Sequence, residues 1–280
     1  MSIPIIYFHT GNSSYLNISI KQCKKFNDHV ILLGDDSNSD IDVEHHNLYD
    51  YHDDVAKFHK LYQHMSTNGH GFELTCYVRW IILANFIKKQ NFGSAPIVYL
   101  DSDVMTYCDY SEKENLFEDN YAGKVCKAKR QNDYRWSASG CISYWKHDMV
   151  LKFKDYLFEL YTNKIDKLKE KYQYHVDSGV PGGICDMTAI YLFSEENDIG
   201  TLNDVFDDDS TFDQNISVAE NYLDDEYEMH ADGFKLLHFE DGIPFCRNLL
   251  LNKTIKINAT ADFANTEKRP QIMHHYRNHD

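Results

Sequence analysis

The amino-acid sequence predicts an α/β fold with a mixed, mostly parallel sheet flanked by helices, and three observations support this prediction. Two short apolar runs at residues 3–8 and 30–33 enclose a helical pattern at residues 15–26. A long amphipathic segment at residues 72–90 leads into a third apolar run at residues 97–100. Polar turns with glycine follow the first two runs. Alternation of this kind is typical of β-α-β units, whose strands lie parallel in one sheet.

The elements follow from their periodicity, taken in chain order. The first run ends in His9-Thr10-Gly11-Asn12, and Ser13 or Ser14 is the predicted N-cap of the helix after it. The helix over 72–90 is predicted to stop at Asn91-Phe92-Gly93. Further along we predict a short strand near residue 43, a helix over 49–65, strands over 121–128 and 141–145, one long helix over 147–172, a loop over 176–183, a short helix over 186–193, an acidic linker over 204–213 and a strand over 234–239.

Length and composition favour one globular domain. The chain has 280 residues, of which 42% are hydrophobic and 26% charged, and this length is enough to bury a large core. We assign residues 1–257 to one domain and residues 258–280 to a C-terminal tail of uncertain structure. No stretch approaches the roughly 20 apolar residues that span a bilayer, and the N-terminus lacks a signal-peptide pattern. We therefore expect a soluble cytoplasmic protein.

Charge and cysteine usage exclude several classes of partner. The formal net charge of −16 argues against nucleic acid and against anionic membranes, because both are bound through excess Lys and Arg. The seven cysteines contain no C-x-x-C pair, which favours reduced thiols inside a cell and no structural zinc.

The acidic pair after the run 97–100 is the most specific local signal. Asp101 and Asp103 come where the strand should end, and ligands of open α/β sheets collect beyond the carboxyl ends of strands. In an extended chain these two side chains point to the same side while Ser102 points away. A later apolar run leads to His238, and two carboxylates with one imidazole suit Mn²⁺ or Mg²⁺. The alternative is a solvated strand end and an ordinary histidine.

Four blocks, in this order, resemble nucleotide-sugar-dependent glycosyltransferases of the GT-A fold, particularly the glycogenin and lipopolysaccharide galactosyltransferase type. They are Tyr7-Phe8-His9-Thr10-Gly11, Cys76-Tyr77-Val78-Arg79-Trp80, Tyr99-Leu100-Asp101-Ser102-Asp103 and Leu237-His238-Phe239. The resemblance implies the GT-A fold, which is the Rossmann-like fold of nucleotide-diphospho-sugar transferases, over most of the chain.

The resemblance also implies the roles of site residues. The first block is similar to the segment that holds the uracil and ribose, and the arginine of the second block is expected to reach the donor. Ser137-Ala138-Ser139-Gly140-Cys141 is similar to a strand start near the donor sugar, although Ala138 stands where the family often has asparagine. The implied donor-binding residues are Tyr7, His9, Thr10, Gly11, Arg79, Ser102, Ser139 and Gly140, and the implied metal ligands are Asp101, Asp103 and His238.

A further segment, Gly182-Gly183-Ile184-Cys185-Asp186-Met187, resembles the region that borders the reacting carbon. Met187 replaces the glutamine typical of retaining members, which slightly favours inversion. Asp186 is the candidate general base that deprotonates an acceptor hydroxyl. A helix N-cap is its alternative role, and the two roles can coexist.

The predicted function is therefore a metal-dependent glycosyltransferase, hexosyl or pentosyl, that moves a sugar from a UDP-sugar to a glycan hydroxyl. A looser resemblance to glycosyltransferases of large algal viruses, including a xylosyltransferase, points to UDP-xylose and to the cytoplasm of a host cell. Two other classes stay open. Phosphatases of the haloacid dehalogenase type also place Asp-x-Asp after an apolar strand, and a non-catalytic sugar-binding protein could retain a transferase-like fold.

Some residues have less specific expectations. Solvated surface charge is favoured over donor contact for Lys124, Arg130, Lys235 and Arg247. Ordinary packing is favoured over stacking on an acceptor sugar for Tyr134, Trp136 and Tyr174.

Overall fold

The structure is a computed structural model that describes residues 2–90, 92, 95–117, 121–132, 134–216, 221–231 and 233–261. The strands are β1 Ile5–Phe8, β2 Val30–Gly34, β3 Glu44–Asn47, β4 Ile97–Asp101, β5 Met105–Thr106, β6 Gly123–Lys127, β7 Ala138–Trp145, β8 Ile199–Thr201, β9 Ser210–Asp213, β10 Leu237–Glu240, β11 Ile243–Asn248 and β12 Lys253–Thr260. The helices are α1 Ser14–Lys24, α2 Val55–Leu61, α3 His70–Gln90, α4 Glu114–Phe117, α5 His147–Thr162, α6 Ile165–Ser178 and α7 Asp186–Glu196.

The main sheet of the described chain has seven strands in the order β3-β2-β1-β4-β7-β6-β8. Strands β1 to β4 are parallel to their neighbours within that group, whereas β7 runs antiparallel to both β4 and β6. The predicted mixed, mostly parallel sheet flanked by helices is therefore confirmed.

Side chains that alternate along the buried strands form two layers of core. On one side of the sheet, Ile6 and Tyr99 pack in a cluster with residues of α3, α5 and α7. On the other side, Ile5, Tyr7 and Leu100 pack against α1. This period of two explains why the central strands are apolar on both faces, since helices cover both.

A second sheet joins β10, β11, β12 and β5 in that order, with β9 alongside β12. Phe212 of β9 and Ala259 of β12 belong to the same core cluster as Leu100 and Ile142 of the main sheet. The two sheets thus share one core. Strand β12 continues to Thr260, so residues 258–260 belong to the fold rather than to the predicted tail. Ala261 follows the strand and is buried, and residues 262–280 of the tail lie outside the described residues.

Three local predictions were wrong. The helix over 147–172 is two helices, because the backbone N–H groups of Asn163 and Lys164 both bond to the Glu159 carbonyl and end α5. The helix over 49–65 is a short 3₁₀ turn, Leu48–Tyr51, followed by α2. The acidic linker over 204–213 contains β9, which is buried because it pairs in parallel with β12.

No helix in the described part of the chain combines the length and the apolar character needed to cross a membrane.

Candidate active site

The carboxyl ends of β1 and β4 form the candidate site. Strand β1 pairs with β2 on one side and with β4 on the other, so the order of strands reverses between β1 and β4. Ligands of open α/β sheets bind at such a switch point. His9 follows β1 and Asp101 ends β4, and His9 Nδ1 lies 2.8 Å from Ser102 Oγ. The fold therefore joins two segments that the sequence predicts to contact the donor.

The turn after β1 is held by groups that follow β2. The Gly11 N–H donates to Asp35 Oδ2 at 2.7 Å, and Asn38 Nδ2 donates to the Gly11 carbonyl at 2.9 Å. Thr10 is exposed in this turn. Burial lowers the pKa of His9, and the nearby Asp35 opposes this only in part. The His9 imidazole is therefore neutral at neutral pH.

The Tyr7 side chain lies in the core rather than at the surface of the candidate site. Its side chain is fully buried and packs with Leu16 and Cys23 against α1. Burial also raises the pKa of its hydroxyl well above the usual value. Because Tyr7 faces into the core from the middle of β1, its side chain does not reach the surface where the sequence resemblance placed it.

Arg79 bridges two carboxylates at the centre of the site. Its Nη1 donates to Asp101 Oδ1 at 2.6 Å and its Nη2 donates to Asp186 Oδ2 at 2.5 Å. The three side chains are 14%, 26% and 4% exposed for Arg79, Asp101 and Asp186. Burial raises the pKa of Asp101 although Arg79 opposes the change. For Arg79 burial acts to lower the pKa, but the two carboxylates outweigh it and the pKa rises well above normal.

Trp80 fixes this bridge in position. Its Nε1 donates to Asp186 Oδ2 at 3.0 Å, the oxygen that also accepts from Arg79. The indole packs against Gly140, where an added Cβ would lie 2.4 Å from Trp80 Cζ2. Gly140 therefore makes room for a tryptophan. Its neighbour Ser139 is 8% exposed, and its Oγ accepts from the Cys141 N–H at 3.2 Å.

Asp186 is the first residue of α7, and a tight approach of two backbone segments places it there. Gly183 has a φ of +145°, and an added Cβ would lie 2.3 Å from the Met65 carbonyl oxygen. The Ile184 N–H donates to that same oxygen at 2.7 Å. The segment before α7 is thus fixed against the chain that leads into α3, the helix that carries Arg79. No side-chain cap is formed by Cys185, the residue at the N-cap.

The predicted metal ligands do not come together. His238 lies in β10 of the second sheet, where its side chain is 50% exposed and its Nε2 lies 3.7 Å from Glu240 Oε1. Within the described ranges, no group of three or more His, Cys, Asp or Glu side chains is arranged to hold a metal ion. Asp101 is engaged by Arg79, and Asp103 lies partly exposed in the turn after β4. These positions do not fit a three-ligand Mn²⁺ or Mg²⁺ site.

Lys171 is a site residue that the sequence interpretation missed. It is 4% exposed, and its Nζ donates to the Gly183 carbonyl at 2.6 Å and to Thr188 Oγ1 at 3.0 Å. Burial lowers the pKa of this lysine. The ammonium ties the glycine segment to the first turn of α7 and so fixes Asp186. One pattern could have predicted that Lys171 is buried: it follows the buried Leu168 at helical spacing on α6.

Glu73 is a second buried group beside the site. It is 1% exposed, and its Oε1 accepts from Ser66 Oγ at 3.0 Å and from Asn68 Nδ2 at 2.7 Å. It therefore orders the segment before α3 against which Gly183 packs.

The four cations for which the sequence favours solvated surface charge all have partners in the fold. Lys235 is 3% exposed and is bonded to Asp213, and its Nζ lies 3.5 Å and 4.5 Å from the ring centroids of Tyr222 and Tyr227. It is neither a solvated charge nor an accessible phosphate contact. Three other cations have partners as well: Arg130 bonds to Asp224, Arg247 to Asn252, and Lys124 lies 5.2 Å from the ring centroid of Tyr121.

No protein-family model matches the chain, and no curated protein matches it. Among solved structures, apo mouse xyloside xylosyltransferase 1 is similar with a TM-score of 0.51 and 11% identity, over 72% of this chain and 86% of that chain. Galactosyltransferase LgtC with donor and acceptor sugar analogues gives a TM-score of 0.41 and 13% identity, over 73% and 74%. A glycosyltransferase involved in the glycosylation of the major capsid of PBCV-1 gives 0.36 and 12%, over 57% and 67%.

The similarity to the mouse enzyme concerns the fold. The strand order, the mixed sheet and this similarity together show that the chain has the GT-A glycosyltransferase fold, as the sequence resemblance predicts.

Proposed function

We propose that this chain is a glycosyltransferase that moves a sugar from a nucleotide-sugar donor to a hydroxyl of a glycan. The observation that carries the proposal is the position of Arg79, which joins Asp101 to Asp186 at the switch point of a GT-A sheet. A guanidinium at the carboxyl ends of the strands is suited to an anionic donor, because a phosphate oxygen can replace Asp101, the more exposed of its two carboxylate partners.

The reaction requires one bond exchange at the anomeric carbon of the donor sugar. The acceptor oxygen forms a bond to that carbon, the bond to the diphosphate oxygen breaks, and the nucleoside diphosphate leaves with the electron pair. Arg79 supplies positive charge where the leaving group becomes more negative. The proton of the acceptor hydroxyl goes to a base, for which Asp186 is our candidate. Asp186 Oδ2 already accepts from Arg79 and Trp80, so this role falls to Oδ1.

The finer assignments are proposals that rest on the sequence resemblance. They comprise a UDP-sugar donor such as UDP-xylose, slightly favoured inversion, and dependence on Mn²⁺ or Mg²⁺, which would have to bind through fewer protein ligands than the three that the resemblance implies. No step above uses a metal, because the described carboxylates and histidine do not fit a three-ligand site. Activity measured with EDTA and then with added Mn²⁺ tests the metal, and the anomeric configuration of the product by NMR tests inversion.

A thermal-shift panel of nucleotides and nucleotide sugars tests the proposed function most directly. A ligand that binds the folded protein raises its melting temperature by mass action. We expect a shift with a uridine nucleotide that is lost in Arg79→Gln and kept in the matched control Arg247→Gln, whose side chain bonds to Asn252 within the β11–β12 hairpin. No response to any nucleotide in the wild-type protein would contradict the proposal.

A further inference from the structure

Three aromatic side chains form a stack beside the candidate active site. The rings of Tyr134 and Tyr174 are nearly parallel, at 7°, with centroids 4.1 Å apart. Trp136 continues the stack, with its ring 6.3 Å from Tyr134 at an angle of 24°. Tyr174 is 39% exposed, and the other two side chains are partly exposed. We call these three residues the aromatic platform.

The aromatic platform is continuous with the candidate site through α6. Lys167, Lys171 and Tyr174 follow one another at helical spacing on one face of this helix. Lys167 Nζ lies 5.5 Å from the ring centroid of Trp136, and Lys171 Nζ holds the Gly183 carbonyl. The face of α6 that carries Tyr174 therefore also fixes the segment that leads to Asp186.

The loop that carries the other two rings leads into the site from a second direction. Trp136 precedes β7, the strand that contains Ser139 and Gly140. Gln131 braces this loop, because its Nε2 donates to the Ser137 carbonyl at 2.7 Å and its Oε1 accepts from the Ser137 N–H at 3.1 Å. Asn132 Oδ1 accepts from the Tyr134 N–H at 3.0 Å. The rings are held in place before any ligand arrives, which reduces the entropy cost of binding.

The chemistry of the aromatic platform suits a sugar ring. The face of an aromatic ring is electron-rich and apolar, whereas one face of a pyranose presents C–H groups that are apolar and slightly positive. Pockets for small ligands combine such aromatic walls with a few polar groups. The net charge of −16 disfavours an acidic sugar.

We propose that the aromatic platform binds a neutral sugar ring of the acceptor glycan and so presents an acceptor hydroxyl toward the reaction centre. This inference rests on the proposed function for its role in transfer, but the binding itself does not require transfer. Tyr174, which is 39% exposed, thus offers its free ring face to the sugar, and Tyr134 and Trp136 extend and support that surface.

Tryptophan fluorescence gives a test that is independent of activity. Of the three tryptophans, Trp80 is 1% and Trp145 is 0% exposed, so a change in emission on adding a saccharide reports on Trp136. The probes are methyl β-xyloside, methyl β-galactoside, methyl β-glucoside and lactose, with methyl β-glucuronide as the acidic comparison. We expect saturable quenching by at least one neutral probe and weaker quenching by the glucuronide.

Variants of Tyr174 test whether its aromatic ring is responsible for saccharide binding. Tyr174→Ala should weaken binding of the best probe about tenfold, the scale of one lost aromatic contact. Tyr174→Phe keeps the ring and should bind within twofold of the wild-type protein, roughly the accuracy of such comparisons. Tyr49→Ala removes an exposed tyrosine on another element and is the matched control.

The outcomes distinguish this inference from the proposed function. Saccharide quenching without any nucleotide response would support the aromatic platform and contradict transfer. A nucleotide response together with unchanged saccharide binding, or an unchanged KM for acceptor, in a folded Tyr174→Ala protein would overturn the aromatic platform alone. Failure of every neutral probe to quench Trp136 would overturn it as well.

Discussion

Arg79 carries a positive charge between two carboxylates that are largely withdrawn from water. The bridge is geometrically favourable, because separate nitrogens of one guanidinium serve Asp101 and Asp186. Removing one partner of such a group is costly, since the remaining charges stay buried and lose their compensation. The same residue therefore contributes to both stability and the proposed chemistry.

The first prediction concerns this bridge. Arg79→Met should lower the free energy of unfolding by about 3–5 kcal/mol, because it leaves Asp186 buried with Trp80 as its remaining side-chain donor among the described residues. Urea unfolding at neutral pH measures the change. Adding Asp186→Asn to the variant should restore part of the loss, since the uncompensated charge is then absent. A loss below about 1 kcal/mol would mean that the bridge is not formed in solution.

The second prediction concerns His9 and pH. Its pKa in the folded protein lies below the ordinary 6.5 because the imidazole is buried. As pH falls through 6.5, the unfolded chain takes up a proton that the folded protein does not, so stability is lost below that pH at up to about 1.4 kcal/mol per pH unit. Unfolding measured from pH 7.5 to 5 should therefore show a shallower decline in His9→Gln. Parallel profiles for the two proteins would refute this.

The sequence predicts site residues best where the side-chain type itself indicates a chemical role. Asp101, Arg79 and Asp186 were all singled out, and the fold brings them into contact. The role of Lys171 could not be predicted, because its main partner is the backbone carbonyl of Gly183, and no pattern of side chains reveals such a partner. The burial of Tyr7 could not be predicted, because a resemblance in sequence does not say which face of a buried strand a side chain occupies.

At the scale of elements, the connection into α7 determines how the site is assembled. At Gly183 the chain lies so close to the segment before α3 that an added Cβ would overlap with it. Only glycine combines the required φ with the absence of a Cβ. Both helices that supply the bridge, α3 and α7, are aligned by this one crossing.

The third prediction follows. Gly183→Ala should destabilise the protein by about 2–4 kcal/mol, because it adds backbone strain and a clash with the Met65 carbonyl. Gly71→Ala is the matched control, since it lies in the first turn of α3 with open space where the Cβ would go. It should be neutral or stabilising by up to about 1 kcal/mol. Equal thermal shifts in the two variants would argue against the crossing.

Strands were easier to predict than the breaks between elements. The runs at β1, β2 and β4 are apolar because helices cover both faces, so composition alone marked them. The break between α5 and α6 is a local change in hydrogen bonding at Glu159, and β9 is a strand only because a distant strand, β12, pairs with it. Pairing between remote segments leaves little trace in a single sequence.

At the scale of the whole molecule, the two sheets act as one structural unit. Phe212 and Ala259 from the smaller sheet share a core cluster with Leu100 of the main sheet. The net charge of −16 opposes compaction, so this shared core also offsets electrostatic repulsion.

The fourth prediction tests this unity. Ile257 is fully buried in β12, and Ile257→Ala should lower the free energy of unfolding by about 2–5 kcal/mol. The change should be seen by tryptophan fluorescence, although every tryptophan lies outside the smaller sheet. Leu250→Ala, at a position 55% exposed in the adjacent hairpin, should change stability by less than about 0.5 kcal/mol. An unchanged tryptophan transition in Ile257→Ala would show that the sheets unfold separately.

The pairing of β5 with β12 also bears on how the protein is made. Strand β5 directly follows the turn that holds Asp101 and Asp103, and among the described residues it pairs with Ala259 and Thr260 of β12. Domains assemble as the chain leaves the ribosome, with early segments emerging first. The turn that holds Asp101 and Asp103 is therefore without this strand pairing until β12 has emerged, so the candidate site is completed only after residues 107–260 have been synthesised.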